Sequence, residues 1–66
     1  MLITVNGESR EFPVHGRVVE LISSLGLNPE ATAVQRNGDI VPRAAYAETV
    51  LAEGDVVELV RFVGGG

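Results

Sequence analysis

The chain has 66 residues, 45% of them hydrophobic, and a formal charge of −4 from nine carboxylates against five arginines. It contains neither cysteine nor lysine, which excludes disulfide staples, thiol nucleophiles and cysteine-type zinc sites, and its acidic balance argues against a nucleic-acid partner. This length allows one domain stabilised by one efficiently patterned core.

Met1 leads directly into Leu2-Ile3-Thr4-Val5, which reads as a strand and not as a signal peptide, and the apolar runs are far too short to cross a bilayer. A soluble cytoplasmic protein without a membrane partner is the expectation. Asn6-Gly7 supplies the positive backbone angles of a type I′ turn. A two-residue loop there opposes Val5 to Glu8 and, counting outward by twos, puts Ile3, Val5, Phe12 and Val14 on one face. Pro13 suits an edge strand, where its missing donor does little harm.

Val18, Leu21, Ile22 and Leu25 follow at i, i+3, i+4 and i+7, one apolar stripe of a short amphipathic helix. Gly26 is placed to end it in a left-handed cap, and Asn28-Pro29 prevents its resumption. Its start lacks a side-chain oxygen, because Gly16-Arg17 precedes the stripe. Residues 32–36 read as a third strand, Asn37-Gly38 as a second turn, and Ile40-Val41 as a short fourth strand ended by Pro42, with Ile40 in the core. Residues 43–48 fit a single helical turn. Glu53-Gly54-Asp55 is a further turn, and residues 56–62 form the last strand. A helix packed across a sheet that joins the first and last strands is an α+β, ubiquitin-like β-grasp: a mixed sheet of four to five strands on one main helix.

In the last strand Val57 and Leu59 alternate with Val56, Glu58, Val60 and Phe62. With Glu58 toward water, Val57 and Leu59 face the helix, and Val60 and Phe62 lie on the outer face as a partner surface. The domain is read as residues 1–63 and the tail as residues 64–66. Gly64, Gly65 and Gly66 have no side chain to pack. Four extended residues past Phe62 reach about 13 Å, and a glycine thread is the narrowest polypeptide that can enter a partner's channel. The tail ends in one functional group, the α-carboxylate of Gly66, ionised near neutrality. A carboxylate needs activation before acyl transfer, and adenylation by a partner would create the leaving group; sulfur for a thiocarboxylate must come from elsewhere. Glycines at a terminus are by themselves a weak indication. Their place directly after the last strand of a β-grasp is what makes them specific.

Here the sequence is similar to the sulfur carrier proteins of thiamine biosynthesis, the ThiS family, over essentially its whole length. Asn37-Gly38-Asp39-Ile40-Val41-Pro42-Arg43 resembles the family's central Ile-Val-Pro-Arg segment, Glu53-Gly54-Asp55 its acidic-Gly-Asp turn, and Phe62-Val63-Gly64-Gly65-Gly66 its diglycine end with one glycine more. Arg17 departs from the helix-capping Thr of many relatives. The resemblance implies that an E1-like adenylating enzyme activates Gly66 with ATP and magnesium, the carrier itself binding no cofactor. It implies that a cysteine desulfurase or sulfurtransferase route supplies the sulfur and that thiazole synthase receives it. Gly64 and Gly65 would then thread the partner active sites, with Val60, Phe62 and Val63 at the interface.

The small subunit of molybdopterin synthase and a sulfur carrier for cysteine synthesis are alternatives of the same class. A ubiquitin-like modifier joined through Gly66, and a plain adaptor indifferent to its tail, are alternatives of other classes. An enzyme is not expected. His15 is a lone histidine beside Gly16, no phosphate-binding loop is present, the nine carboxylates fall at turns and outward faces as solvated groups, and Arg43 reads as solvated too.

Overall fold

The computed structural model of the chain describes residues 1–62. Its elements are β1 (Leu2–Val5), β2 (Glu8–Glu11), α1 (Val18–Ser24), β3 (Thr32–Arg36), β4 (Asp39–Val41) and β5 (Val56–Arg61), with 3-10 turns at Pro29–Ala31 and Arg43–Ala45. They form a five-stranded sheet in the order β2-β1-β5-β3-β4. β5 runs parallel to β1 and antiparallel to β3, so the last strand in sequence is the middle strand in space.

Both Asn-Gly pairs make the expected turns, with φ of 50° and 83° at Asn6-Gly7 and 52° and 88° at Asn37-Gly38. The first hairpin pairs Val5 with Glu8 and Ile3 with Arg10. One further pair of bonds joins Met1 and Phe12, at 2.8 Å each way. Ile3, Val5 and Phe12 are accordingly buried together. Val14 does not join them: it is 65% exposed. The chain leaves the ladder at Pro13 and turns, with the Gly16 N–H donating to the Pro13 carbonyl at 2.9 Å and His15 at a φ of 67°, so strand parity no longer applies at Val14. Gly16 is buried against Phe12, and a Cβ there would overlap the ring edge. Gly16→Ala is expected to lower stability by about 1–3 kcal/mol, seen as a lower thermal midpoint.

α1 buries Val18, Leu21 and Ile22 against the sheet, with Leu25 partly covered. Its end is a Schellman cap. Gly26 adopts a φ of 73° and donates to Ser23, while Leu27 donates to Ile22 at 3.1 Å. At its start, where the sequence lacks a capping oxygen, the Arg17 N–H donates to Glu20 Oε1 at 2.8 Å. The amides of Val18 and Val19 donate to the carbonyls of Thr49 and Tyr46, each at 3.0 Å. A distant loop therefore supplies the cap that local sequence does not. That loop is anchored by Leu51 and Tyr46, both buried, with the Tyr46 hydroxyl donating to the Thr32 carbonyl at 2.6 Å.

The short fourth strand carries a correction. Ile40 was expected in the core, but the register sets it opposite Gln35 and sets Val41 opposite Val34. Ile40 is 75% exposed on the outer face, and Val41 is buried in its place. The asparagine-glycine turn determines that parity, because Asp39 pairs with Arg36 directly across it.

Candidate functional site

The candidate site is the outer face of the sheet around β5, up to the last described residue, Phe62. Val57 and Leu59 are buried toward α1, whereas Val56, Glu58 and Val60 face outward, as the alternation predicts. The Phe62 N–H donates to the Ala31 carbonyl at 2.7 Å, so pairing continues one residue beyond the strand. Val60 and Phe62, the predicted partner surface, are 59% and 61% exposed. Val63, Gly64, Gly65 and Gly66 lie outside the described residues, as does the boundary drawn between domain and tail.

Two neighbours of this surface escaped the sequence reading. Ile40 of β4 and Val60 of β5 line opposite sides of one groove, with Ala33 and Gln35 of β3 between them and Glu58 on the same strand as Val60; an isoleucine in a strand next to a turn reads as core, so nothing in the local pattern marks it as exposed. The second omission is what holds β5 in place. Asn6 continues the pairing of β1 with backbone and side chain together: its backbone N–H donates to the Val57 carbonyl at 3.0 Å, and its side-chain Oδ1 accepts from the Leu59 N–H at 2.8 Å. Asn37 does the same from the other side, its N–H donating to the Val56 carbonyl at 2.7 Å and its Oδ1 accepting from the Val56 N–H at 2.9 Å. The two hairpin turns thus grip β5 from both flanks, and the register of this last strand is pinned twice.

Asp55, immediately before β5, locks the second grip. Its carboxylate accepts from Arg36 Nε at 2.8 Å, Asn37 Nδ2 at 3.0 Å and the Ala52 N–H at 2.8 Å. Burial alone would raise its pKa. The bonds from Ala52, Asn37 and Arg36, with the charge of Arg36, outweigh that and hold the carboxyl below its ordinary range. Among the nine acidic residues this one is buried, which corrects the expectation that all are solvated. Arg43 and His15 are exposed, as read. Among the described residues no cluster of His, Asp or Glu has the makings of a metal site, and no helix is long and apolar enough to cross a membrane.

A five-stranded mixed sheet, with a parallel pair of first and last strands at its centre and one helix across one face, is the β-grasp of ubiquitin-like proteins. The crystal structure of a thiamine biosynthesis protein (ThiS) from Geobacter metallireducens is similar throughout, with a TM-score of 0.84, 36% sequence identity and full coverage of both chains. The model of the ThiS family matches residues 3–66. The chain belongs to the ThiS family. A sulfur carrier protein ThiS of Bacillus subtilis is 39% identical over 51 residues, which cover 77% of each chain. A thiazole synthase of Paramagnetospirillum magneticum is 41% identical over all 66 residues, and the chain spans 20% of that longer protein.

Proposed function

We propose that this chain is a sulfur carrier of thiamine biosynthesis, in which the C-terminal carboxylate of Gly66 is the cargo-bearing group. The carboxylate attacks the α-phosphate of ATP in an E1-like adenylating partner, releasing pyrophosphate and forming an acyl adenylate; magnesium and ATP belong to that partner. A persulfide held by a cysteine desulfurase or sulfurtransferase then displaces AMP to give an acyl disulfide, and a thiol reductant cleaves its S–S bond to leave the thiocarboxylate, the thiol being oxidised to a disulfide. Thiazole synthase takes the sulfur. The carrier contributes no acid, base or metal to these steps. It contributes a registered strand that precedes the glycines in sequence, and an apolar face for the partner to hold.

The observation that carries this reading is membership of the ThiS family in a chain whose doubly gripped central strand leads into Gly64-Gly65-Gly66. A stretch like this chain within a protein named thiazole synthase supports that enzyme as the acceptor. The test is the intact mass after incubation with the adenylating enzyme, ATP, magnesium and a sulfide source. A gain equal to exchanging one oxygen for sulfur, located on Gly66, is expected. An unchanged mass with a competent enzyme, or attachment of the chain to a lysine of another protein, would overturn the reading in favour of an adaptor or a modifier.

A further inference from the structure

Five of the seven exposed large hydrophobic residues, Leu2, Ile40, Val56, Val60 and Phe62, belong to the outer face by strand parity. Arginines are absent from it. Arg10, Arg36 and Arg61 pair across strands with Ile3, Val57 and Thr32 on the core side, and Arg17 and Arg43 lie outside the five strands. The charges that the described strands do place outward are two carboxylates, Glu11 and Glu58.

Glu58 stands in the groove between β5, β3 and β4, a space of about 290 Å³ lined also by Asn6, Ala33, Gln35, Ile40 and Val60. That is at the bottom of the size range of small-molecule sites, roughly 300–1,000 Å³, and suits one long side chain. The sole ion pair among the described residues joins Arg36 to Asp55, so Glu58 has no cation of its own. A purely apolar partner that covered Val60, Ile40 and Phe62 would strip water from this carboxylate and leave it unpaired, which is strongly unfavourable. A partner must therefore bring a cation to the groove or be rejected.

We propose that the groove receives one arginine or lysine side chain of the adenylating partner, its stem lying along Ile40 and Val60 and its charged head on the Glu58 carboxylate beside the Gln35 amide. This rests on the sulfur-carrier reading, since the adenylating enzyme is the first protein that must hold β5 while the tail reaches its active site. Glu58 is then a specificity residue: it selects partners by the positive charge they place within an apolar surface.

The test is titration calorimetry of the full chain with its adenylating enzyme at low and at moderate salt. Glu58→Gln is expected to weaken binding roughly tenfold to a hundredfold and to flatten the salt dependence; Glu58→Arg is expected to weaken it further. Glu8→Gln, which removes an exposed carboxylate from the edge strand β2, should bind as the parent does. Circular dichroism melts of all three should match the parent, since each change is at an exposed side chain. Parent-like binding by Glu58→Arg overturns the proposal, as does a loss that Glu8→Gln reproduces. Self-association of the parent that Glu58→Arg abolishes, with enzyme binding intact, overturns it in favour of a second copy. Failure of the carrier reading is separate: there the parent chain itself shows no exchange of oxygen for sulfur with the same enzyme.

Discussion

Removal of Gly65 and Gly66 is expected to abolish sulfur loading while the thermal midpoint stays that of the parent. Every buried hydrophobic residue of the described chain lies between Ile3 and Leu59, and among the described residues the last backbone bond of the sheet is donated by Phe62. The described core and sheet are thus assembled from residues that precede the two terminal glycines. The reaction, on the carrier reading, depends on them wholly. Truncation leaves a carboxylate on Gly64 but withdraws it by two residues, about 7 Å along an extended thread. A misplacement of about 1 Å can cost on the order of a hundredfold in rate, so a retreat of this size takes the group out of reach. Mass spectrometry and a melt on the same sample check both halves. Loading of the truncated chain at the parental rate would refute the threading argument, whereas a drop in midpoint would show that the tail also stabilises the domain.

Asp55→Ala is expected to produce the largest loss of stability among single polar substitutions, about 2–4 kcal/mol, because it leaves the donors of Arg36, Asn37 and Ala52 without their shared acceptor. Arg36 keeps a third of its side chain exposed, so water relieves part of that cost. For a domain of this size the change lowers the midpoint by roughly 10–25 °C. The same carboxylate makes stability pH-dependent. Its pKa is lower in the folded than in the unfolded chain, so its contribution is complete above the ordinary carboxylate range. The contribution falls away as the pH drops through that range toward the folded-state pKa. Urea titrations of the parent should show stability declining with acid from the upper end of the carboxylate range downward, with a smaller decline in Asp55→Asn. Equal acid sensitivity in the two proteins would place the effect on other groups.

Most of the fold was legible because its cues are local. Asn6-Gly7 and Asn37-Gly38 each encode a turn, Val18, Leu21 and Ile22 a helix face, Gly26 a cap, and the alternation through Val57 and Leu59 a half-buried strand. The site was legible in part for the same reason, since the parity of β5 alone puts Val60 and Phe62 outward. The failures share a cause as well. Val14 follows the hairpin's parity only while the ladder lasts, and the turn at Pro13 and Gly16 ends it. Ile40 and Val41 are adjacent apolar residues, so only the register against β3 decides which is buried. The amide grip of Asn6 and Asn37 on β5, and the burial of Asp55, depend on partners 18 to 53 residues away and have no trace in the neighbouring sequence.

The placement of β5 also governs the order of events when the chain folds. Thr4 pairs with Val56 and Val5 with Val57, contacts that close nearly the whole described chain into a loop, whereas each hairpin closes over a handful of residues. Such long closures come late and slow the search. Before β5 arrives, the β1–β2 hairpin and the β3–β4 hairpin have no strand between them, and the inner side of α1 has no Val57 or Leu59 to cover it. A growing chain on the ribosome is thus a molecule without a middle, and it gains one only when the strand that leads to the glycines emerges. On the carrier reading, assembly and readiness for chemistry coincide, because the strand that completes the sheet is the one that precedes the glycines in sequence.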